Sequence, residues 1–177
     1  MPELTPLDKS TSPFFVGVDV GGTNTKIGIV DDHGATVSFK SIPTKEEDGP
    51  ADLISRTGEV TRQMAAEIGI SQGDLKAVGL GTPGPMNIAE GIILDPTNLP
   101  HWRHFPVRDE LAKATGLPVA FTNDANAAAY GEFWVGSGQE ADAVIMLTLG
   151  TGVGGGIIVN GAAIEGKNSF GAECGHI

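Results

Sequence analysis

The chain of 177 residues contains a single cysteine, Cys174, so no disulfide can form within it. It is also poor in basic residues, because 11 Lys and Arg stand against 22 Asp and Glu and give a formal net charge of −11. Such a chain lacks the basic stripe that binds nucleic acid or an anionic membrane surface. Its apolar runs are strand-sized and far short of the roughly 18 residues of a membrane-spanning helix. We therefore expect neither a nucleic-acid nor a membrane partner.

The first 13 residues lack the apolar core of a secretory signal. They are polar and contain proline, which predicts a flexible tail. Together with the near absence of cysteine, this predicts a soluble, cytoplasmic protein. The remaining length is sufficient for one sizeable domain, or for one domain and part of another.

Glycine is abundant, and the 26 glycines include two matched loops. At residues 15–30, and again at residues 144–159, an apolar strand runs into a loop rich in glycine and threonine and directly out into another strand. A His-Gly pair at 33 and an Asn-Gly pair at 160 then provide turn signals. Each copy therefore predicts a strand, a hairpin, a second strand, a turn and a third strand.

The two glycine hairpins predict two walls of one phosphate site, because backbone N–H groups can converge on an anion where no Cβ intervenes. Residues 150–155 also satisfy G-x-G-x-x-G, but that dinucleotide fingerprint opens a helix, and here the β-branched run 157–159 follows. No Gly-Lys-Ser/Thr follows either loop, which excludes a Walker A loop. The alternative interpretation is that the glycines only make tight hairpin turns.

Helical and strand patterns alternate between the two hairpins. Apolar spacing predicts helices at residues 52–70, 107–115 and 125–135, and short apolar runs predict strands at 77–81 and 117–121. This order predicts an α/β fold, in which a mixed sheet carries helices on its faces.

A Gly-Ser-Gly break at 136–138 suggests a domain boundary. We expect a tail at 1–13, an α/β domain at 14–138, and the start of a second, similar domain at 139–177. The second domain has no helices to cover its hairpin, so we expect the chain to be a fragment.

Asp124 is the strongest candidate for chemistry, because it follows a predicted strand and begins a predicted helix. Ligands of open α/β sheets gather at the carboxyl ends of strands, and helix N-termini favour anions. An aspartate there also has an ordinary structural role as a cap. Asn123 has the same two interpretations, either as a cap or as an amide that binds a hydroxyl group.

Three further polar residues each allow two interpretations. Asp19 lies within the first glycine loop, where a carboxylate makes sense through a bridging Mg²⁺, or as a strand-end residue bonded by the loop's own N–H groups. Glu173 and His176 form Glu-x-x-His, but Gly171 and Gly175 argue against the long helix of a di-metal site. A loop that offers both side chains to sugar hydroxyls is the functional interpretation, and a solvated loop is the alternative.

Five blocks of this sequence resemble the ROK family of sugar kinases and repressors, in family order, and are most similar to its bacterial glucokinases. They are DVGGT at 19–23, GTPGP at 81–85, TNDANAA at 122–128, LGTGVGGG at 149–156 and GAECGH at 171–176. The resemblance implies the α/β actin-like ATPase (ribonuclease H-like) fold, in which two domains close over ATP and a hexose.

The resemblance also implies roles for individual residues. Asp124 would be the catalytic base. The sugar hydroxyls would be bound by Gly84, Asn98, Asn123, Asp124, Glu173 and His176. The nucleotide phosphates would be surrounded by Asp19, Gly21, Gly22, Thr23, Lys26, Thr151 and Gly152.

The implied cofactors are ATP and Mg²⁺, with Asp19 reaching the metal through the phosphates. Zinc-bearing members of the family continue past Gly-His into a Cys-x-Cys-x4-Cys segment, which this chain lacks. His176 would be a zinc ligand only in a longer chain, and Cys174 does not belong to that cysteine cluster. A full-length chain would form a homo-oligomer, a dimer, whereas the 177 residues alone are expected to be inactive.

The implied reaction is phosphorylation of glucose to glucose 6-phosphate in glycolysis. Kinases of N-acetylmannosamine, fructose or allose remain alternatives, as does polyphosphate instead of ATP. A ROK regulator would carry a helix-turn-helix before the first strand. An actin-like ATPase without a sugar substrate would share the hairpins but would not need Asn123, Asp124, Glu173 and His176 together.

Overall fold

The computed structural model of the protein describes residues 2–149, 153–166 and 171–176. The strands in that part of the chain are β1 (Phe14–Val20), β2 (Asn24–Val30), β3 (Thr36–Pro43), β4 (Leu75–Thr82), β5 (Met86–Asn87), β6 (Ile92–Ile93), β7 (Val119–Asn123), β8 (Ala143–Leu149), β9 (Val153–Val159) and β10 (Ala162–Ala163). The α-helices there are α1 (Pro50–Ile68), α2 (Val107–Thr115) and α3 (Asp124–Val135).

The main sheet has five strands in the order β3-β2-β1-β4-β7. β1, β2 and β3 form an antiparallel meander, whereas β4 and β7 run parallel to β1. This arrangement confirms the mixed sheet that the sequence predicts. The carboxyl ends of β1, β4 and β7 meet at one edge, where Asp19 is paired with Gly81, and Thr82 with Asn123.

The helix boundaries follow local signals. α2 spans the predicted residues, and α1 begins earlier than predicted because Pro50 is accommodated in its first turn. Gly69 ends α1 in the left-handed conformation, at a φ of 81°. α1 and α2 pack against each other, and their apolar faces join the strands in one core that includes Leu53 and Leu111.

The second hairpin forms a separate three-stranded sheet in the order β10-β9-β8, and α3 packs against it. Gly156 of β9 permits this contact, because a Cβ there would collide with Cβ of Ala129 and lie 2.7 Å from O of Ala125. The sequence predicted either a phosphate loop or tight hairpin turns at this glycine run. Part of the run is therefore needed for close packing of a helix on a strand.

The N-terminal segment is attached to the β2–β3 connection. The N–H of Thr5 donates to O of Thr36 (2.7 Å), and the N–H of Thr11 donates to Oδ2 of Asp31 (2.9 Å). Its polar composition did not predict these contacts. Within the described residues, no helix combines the length and apolar character needed to cross a bilayer.

Candidate active site

A cleft of about 310 Å³ opens where β7 passes into α3, facing the second hairpin. Its walls come from four parts of the chain: the loop before α2, the β7–α3 junction, the β8–β9 hairpin and the C-terminal segment. The lining residues are Asn98, Asn123, Asp124, Ala125, Thr148, Leu149, Val153, Gly154 and Glu173. The topology thus brings four of the predicted sugar-binding residues, Asn98, Asn123, Asp124 and Glu173, into one cavity.

Asn123 is the N-cap of α3. Its Oδ1 accepts hydrogen bonds from the N–H groups of Ala125 (2.9 Å) and Asn126 (3.4 Å), and the residue is only 7% exposed. The cap occupies the amide oxygen, so the Nδ2 group is the part of Asn123 that remains for a ligand. The two interpretations of this residue are therefore compatible, because each uses a different atom.

Asp124 follows the cap directly and lies in the first turn of α3. Burial raises the pKa of its carboxyl above the ordinary value, and the negative charge of Asp19 acts in the same direction. The N–H of Ala125 donates to its Oδ1 at 2.8 Å and opposes that rise. A carboxylate with a raised pKa in a polar cleft has the properties of a general base, which a purely capping residue does not need.

Asp19 forms a cross-strand ion pair with Lys26, which was not predicted from the sequence. Nζ of Lys26 lies 3.0 Å from its Oδ2, with both side chains at least half exposed. The pair follows from strand register, since Asp19 and Lys26 stand directly opposite each other on β1 and β2. A tight turn between β1 and β2 places Asp19 opposite Lys26, so the sequence contained enough information to predict the pair.

Gly84 and Gly22 serve the cleft indirectly, through the loop that carries Asn98. Gly84 has a φ of 88°, and a Cβ there would lie 2.7 Å from Cβ of Pro96, two residues before Asn98. A Cβ on Gly22 would lie 3.5 Å from O of Asn98. Gly84 is not among the residues lining the cavity, so the structure supports it as a packing position beside the Asn98 loop rather than as a wall of the cleft.

Glu173 is brought to the cleft by contacts of its neighbours with β9. A Cβ on Gly155 would collide with O of Ala172 and approach Sγ of Cys174 at 3.1 Å, so the segment lies directly on the strand. Cys174–His176 form a single 3-10 turn, too short for the Glu-x-x-His face of a helical metal site. Gly150, Thr151 and Gly152 lie outside the described residues, as does the side chain of His176, and their predicted roles stay predictions.

Among the described residues, no group of three or more His, Cys, Asp or Glu side chains is arranged to hold a metal ion. A single carboxylate in a phosphate loop is nevertheless consistent with Mg²⁺, which commonly uses one or two carboxylates together with phosphate oxygens. Asp19 is the carboxylate of the first glycine loop. The zinc site that the family resemblance suggested for a longer chain involves His176, whose side chain is not described, and it stays a prediction.

A mixed sheet that carries a strand-end cleft, faced by a second glycine hairpin, defines a protein of the actin-like ATPase fold. A model of the ROK family matches residues 15–177, so the chain belongs to the ROK family. The family assignment made from the five sequence blocks is thereby confirmed.

Relatives in sequence and in structure agree with this assignment. The chain is 42% identical over 164 residues to a glucokinase of Halalkalibacterium halodurans, covering 93% of this chain and 49% of that protein. It matches the crystal structure of a ROK hexokinase from Thermus thermophilus with a TM-score of 0.81 and 37% identity, over 93% of this chain and 53% of the other. A ROK glucokinase of Streptomyces griseus in complex with glucose and AMPPNP matches with a TM-score of 0.79 and 38% identity, over 93% and 50% of the two chains. The chain therefore spans about half the length of these relatives.

Proposed function

We propose that this chain provides the sugar-binding cleft, and the two glycine hairpins that hold the phosphates, of an ATP-dependent hexose kinase whose preferred sugar is glucose. The observation that carries the proposal is Asp124, a carboxylate of raised pKa at the carboxyl edge of the sheet, inside a cleft with Asn98, Asn123 and Glu173. The names of the relatives, a glucokinase and a hexokinase, support the same activity.

Asp124 would accept the proton of the attacking sugar hydroxyl, the 6-hydroxyl of a hexose. The hydroxyl oxygen forms the new bond to the γ-phosphorus, the bond from that phosphorus to the bridging oxygen breaks, and ADP leaves with the electron pair. The raised pKa of Asp124 makes its carboxylate a better proton acceptor than an ordinary surface aspartate. General-base assistance of this kind typically contributes about 10²–10⁴-fold to the rate.

The remaining cleft residues would choose and orient the sugar. Asn123 offers hydrogen-bond donors, because its oxygen is engaged by the helix cap, whereas Glu173 offers acceptors. Asn98, which also lines the cleft, offers both a donor and an acceptor. A sugar that lacks a matching hydroxyl would leave these polar groups unpaired. The site would therefore bind that sugar more weakly than glucose.

The nucleotide would be held between the two glycine hairpins. Gly22 and Thr23 would contribute backbone N–H groups, and Thr23 also a hydroxyl, whereas the N–H of Gly21 donates to O of Asn24 (3.1 Å) and shapes the turn. Lys26 contributes a positive charge beside Asp19. Mg²⁺ bound with the nucleotide would neutralise phosphate charge, and Asp19 would provide a carboxylate for this ion. Phosphoryl transfer depends mainly on such positioning and charge neutralisation. We further propose that the kinase works in the cytoplasm as a dimer.

The test is sugar-dependent ADP release by the protein at the full length of its relatives. Glucose, N-acetylmannosamine, fructose and allose are each offered with ATP and with polyphosphate. We expect the highest kcat/KM with glucose and ATP, and no turnover by the 177-residue chain alone. ATP hydrolysis that ignores every sugar would refute the proposal in favour of an ATPase without a sugar substrate.

A further inference from the structure

Thr44, the residue after β3, holds the first glycine loop by three hydrogen-bonding contacts. Its hydroxyl donates to O of Gly21 at 2.6 Å, and its N–H donates to O of Thr23 at 2.9 Å. The same hydroxyl oxygen lies 3.0 Å from Oγ1 of Thr25. Thr44 and Thr25 are both completely buried, whereas Gly22 and Thr23 are exposed. The contacts therefore hold the loop from its inner side and leave its outer side open.

These contacts fix the direction in which the loop's amides point. In a trans peptide the C=O of one residue and the N–H of the next lie in one plane and point in opposite directions. A hydroxyl that binds O of Gly21 from the inside therefore directs the N–H of Gly22 outward. The bond from Thr44 to O of Thr23 holds the following peptide plane of the loop in place. The loop thus presents the N–H of Gly22 on its exposed side, where an anion can approach it.

Thr44 is itself held from behind by α1. Nη1 and Nη2 of Arg56 donate to O of Pro43 (2.8 Å) and O of Thr44 (2.9 Å), and Nε lies 2.6 Å from Oδ2 of Asp52. A planar guanidinium bound on two sides is a stiff connection. The glycine loop is therefore connected through Thr44 to the first turns of a 19-residue helix.

We propose that Thr44 is a positioning residue, whose buried hydroxyl aims the N–H of Gly22 in the first glycine loop at the nucleotide phosphates. The inference rests on the function proposed above and extends it to a residue outside the cleft. Thr44 does not line the cavity, and it acts through the peptide planes that it holds. The consequence is a loop that is ordered before the nucleotide arrives, which lowers the entropy cost of binding.

The experiment compares Thr44→Val with the parent protein at full length. Valine keeps the β-branched shape and the backbone N–H but removes the hydroxyl, which leaves O of Gly21 and Oγ1 of Thr25 without that partner. We expect Mg²⁺–AMPPNP to bind roughly tenfold more weakly, with glucose affinity within about twofold of the parent. Amide hydrogen exchange at residues 21–24 should rise, and Thr44→Ser should restore both properties.

Thr61→Val is the matched control. Thr61 is also fully buried, and its hydroxyl donates to O of Thr57 at 2.8 Å within α1, away from the loop. We expect this control to lose stability without a selective loss of nucleotide affinity. Equal losses in both variants, or unchanged AMPPNP affinity in Thr44→Val, would overturn the inference while the kinase assignment stands. A parent protein that binds no nucleotide would overturn the proposed function and this inference with it.

Discussion

The two glycine hairpins share a sequence pattern but differ in what covers them. In β1, Val16 and Val18 are 1% and 4% exposed. In β8, Ile145, Leu147 and Leu149 are 71%, 53% and 80% exposed. The first hairpin is part of the five-stranded sheet and its shared core, whereas the second has one face on α3 and the other open.

The turns that close the two units also differ. After β2, the buried carboxylate of Asp31 accepts hydrogen bonds from the N–H groups of Thr11, His33 and Ala35. After β9, Asn160 and Gly161 both have positive φ, at 49° and 77°, and the backbone alone makes the turn. The same chain topology is thus stabilised by a buried charge in one unit and by turn conformation in the other. The sequence pattern therefore determines that a hairpin forms, whereas the residues around the hairpin determine what stabilises it.

The largest expected effect is at Asp124, in the cleft that the second hairpin faces. In the full-length protein, Asp124→Asn should lower kcat by at least about 10²-fold and change glucose affinity only several-fold. Asparagine keeps the shape of the side chain but cannot accept the proton of the sugar hydroxyl. Steady-state kinetics and calorimetric titration with glucose would measure the two quantities. Near-native turnover would refute the assignment as base.

The same variant also tests the raised pKa. A carboxyl whose pKa is higher in the folded state favours folding at low pH, and that contribution is lost as the pH rises through the folded pKa. Ionised Asp124 thus costs stability at neutral pH, and Asp124→Asn should leave the Tm unchanged or higher. A clear fall in Tm at pH 7 would indicate that its main role is capping.

The next effect compares glycines in the two hairpins. Gly156→Ala in β9 places a Cβ against Cβ of Ala129 and O of Ala125, so we expect it to destabilise the fold by about 1–3 kcal/mol. Gly17→Ala in β1 meets no atom within 4 Å, and it should be neutral or slightly stabilising. Urea unfolding of both variants would measure the difference. Equal effects would contradict the close packing of α3 on β9.

A smaller effect is expected at the buried carboxylate of the first unit. Burial raises the pKa of Asp31, but the N–H bonds from Thr11, Ala35 and His33 outweigh it and the net pKa is lowered. Its stabilising contribution is therefore present above the unfolded pKa of about 4 and is lost as the pH falls through the folded value. We expect Asp31→Asn to cost about 1–2 kcal/mol at pH 7, and less below pH 4.

Asp32→Asn is the control for this prediction, because the neighbouring side chain is exposed. It should change the unfolding free energy by less than about 0.5 kcal/mol across the same pH range. A loss of stability in Asp31→Asn that does not depend on pH would mean that turn geometry, rather than the charge, is responsible.

The smallest expected effect concerns the open face of β8. Because side chains alternate along a strand, Ile145, Leu147 and Leu149 form one contiguous apolar face, which should make the 177-residue chain self-associate. Leu147→Gln should weaken that association roughly fivefold, measured by sedimentation. Leu4→Gln changes an isolated leucine of nearly equal exposure, 52%, and should have no effect.

The sequence predicted the local elements of this protein well. Alternating and helical apolar spacing identified both hairpin units and all three helices of the described residues, and α2 was predicted at its observed bounds. The residues at the β7–α3 junction were also found, since a strand followed by Asn-Asp and an alanine-rich helix is a local signal. These features are determined by the sequence because each depends on neighbours within a few residues.

The tertiary structure decided what depends on residues distant in the chain. The pairing of Asp19 with Lys26 required strand register, and the hold of Thr44 on the first glycine loop required β3 to end beside it. The packing of α3 on the β9 glycines required the second hairpin to lie on that helix. The raised pKa of Asp124 came from burial of its carboxyl and from Asp19, which the strand order β1-β4-β7 brings to the same edge of the sheet. Contacts of this kind are set by three-dimensional packing, because the spacing of residues along the chain does not specify which distant surfaces will touch.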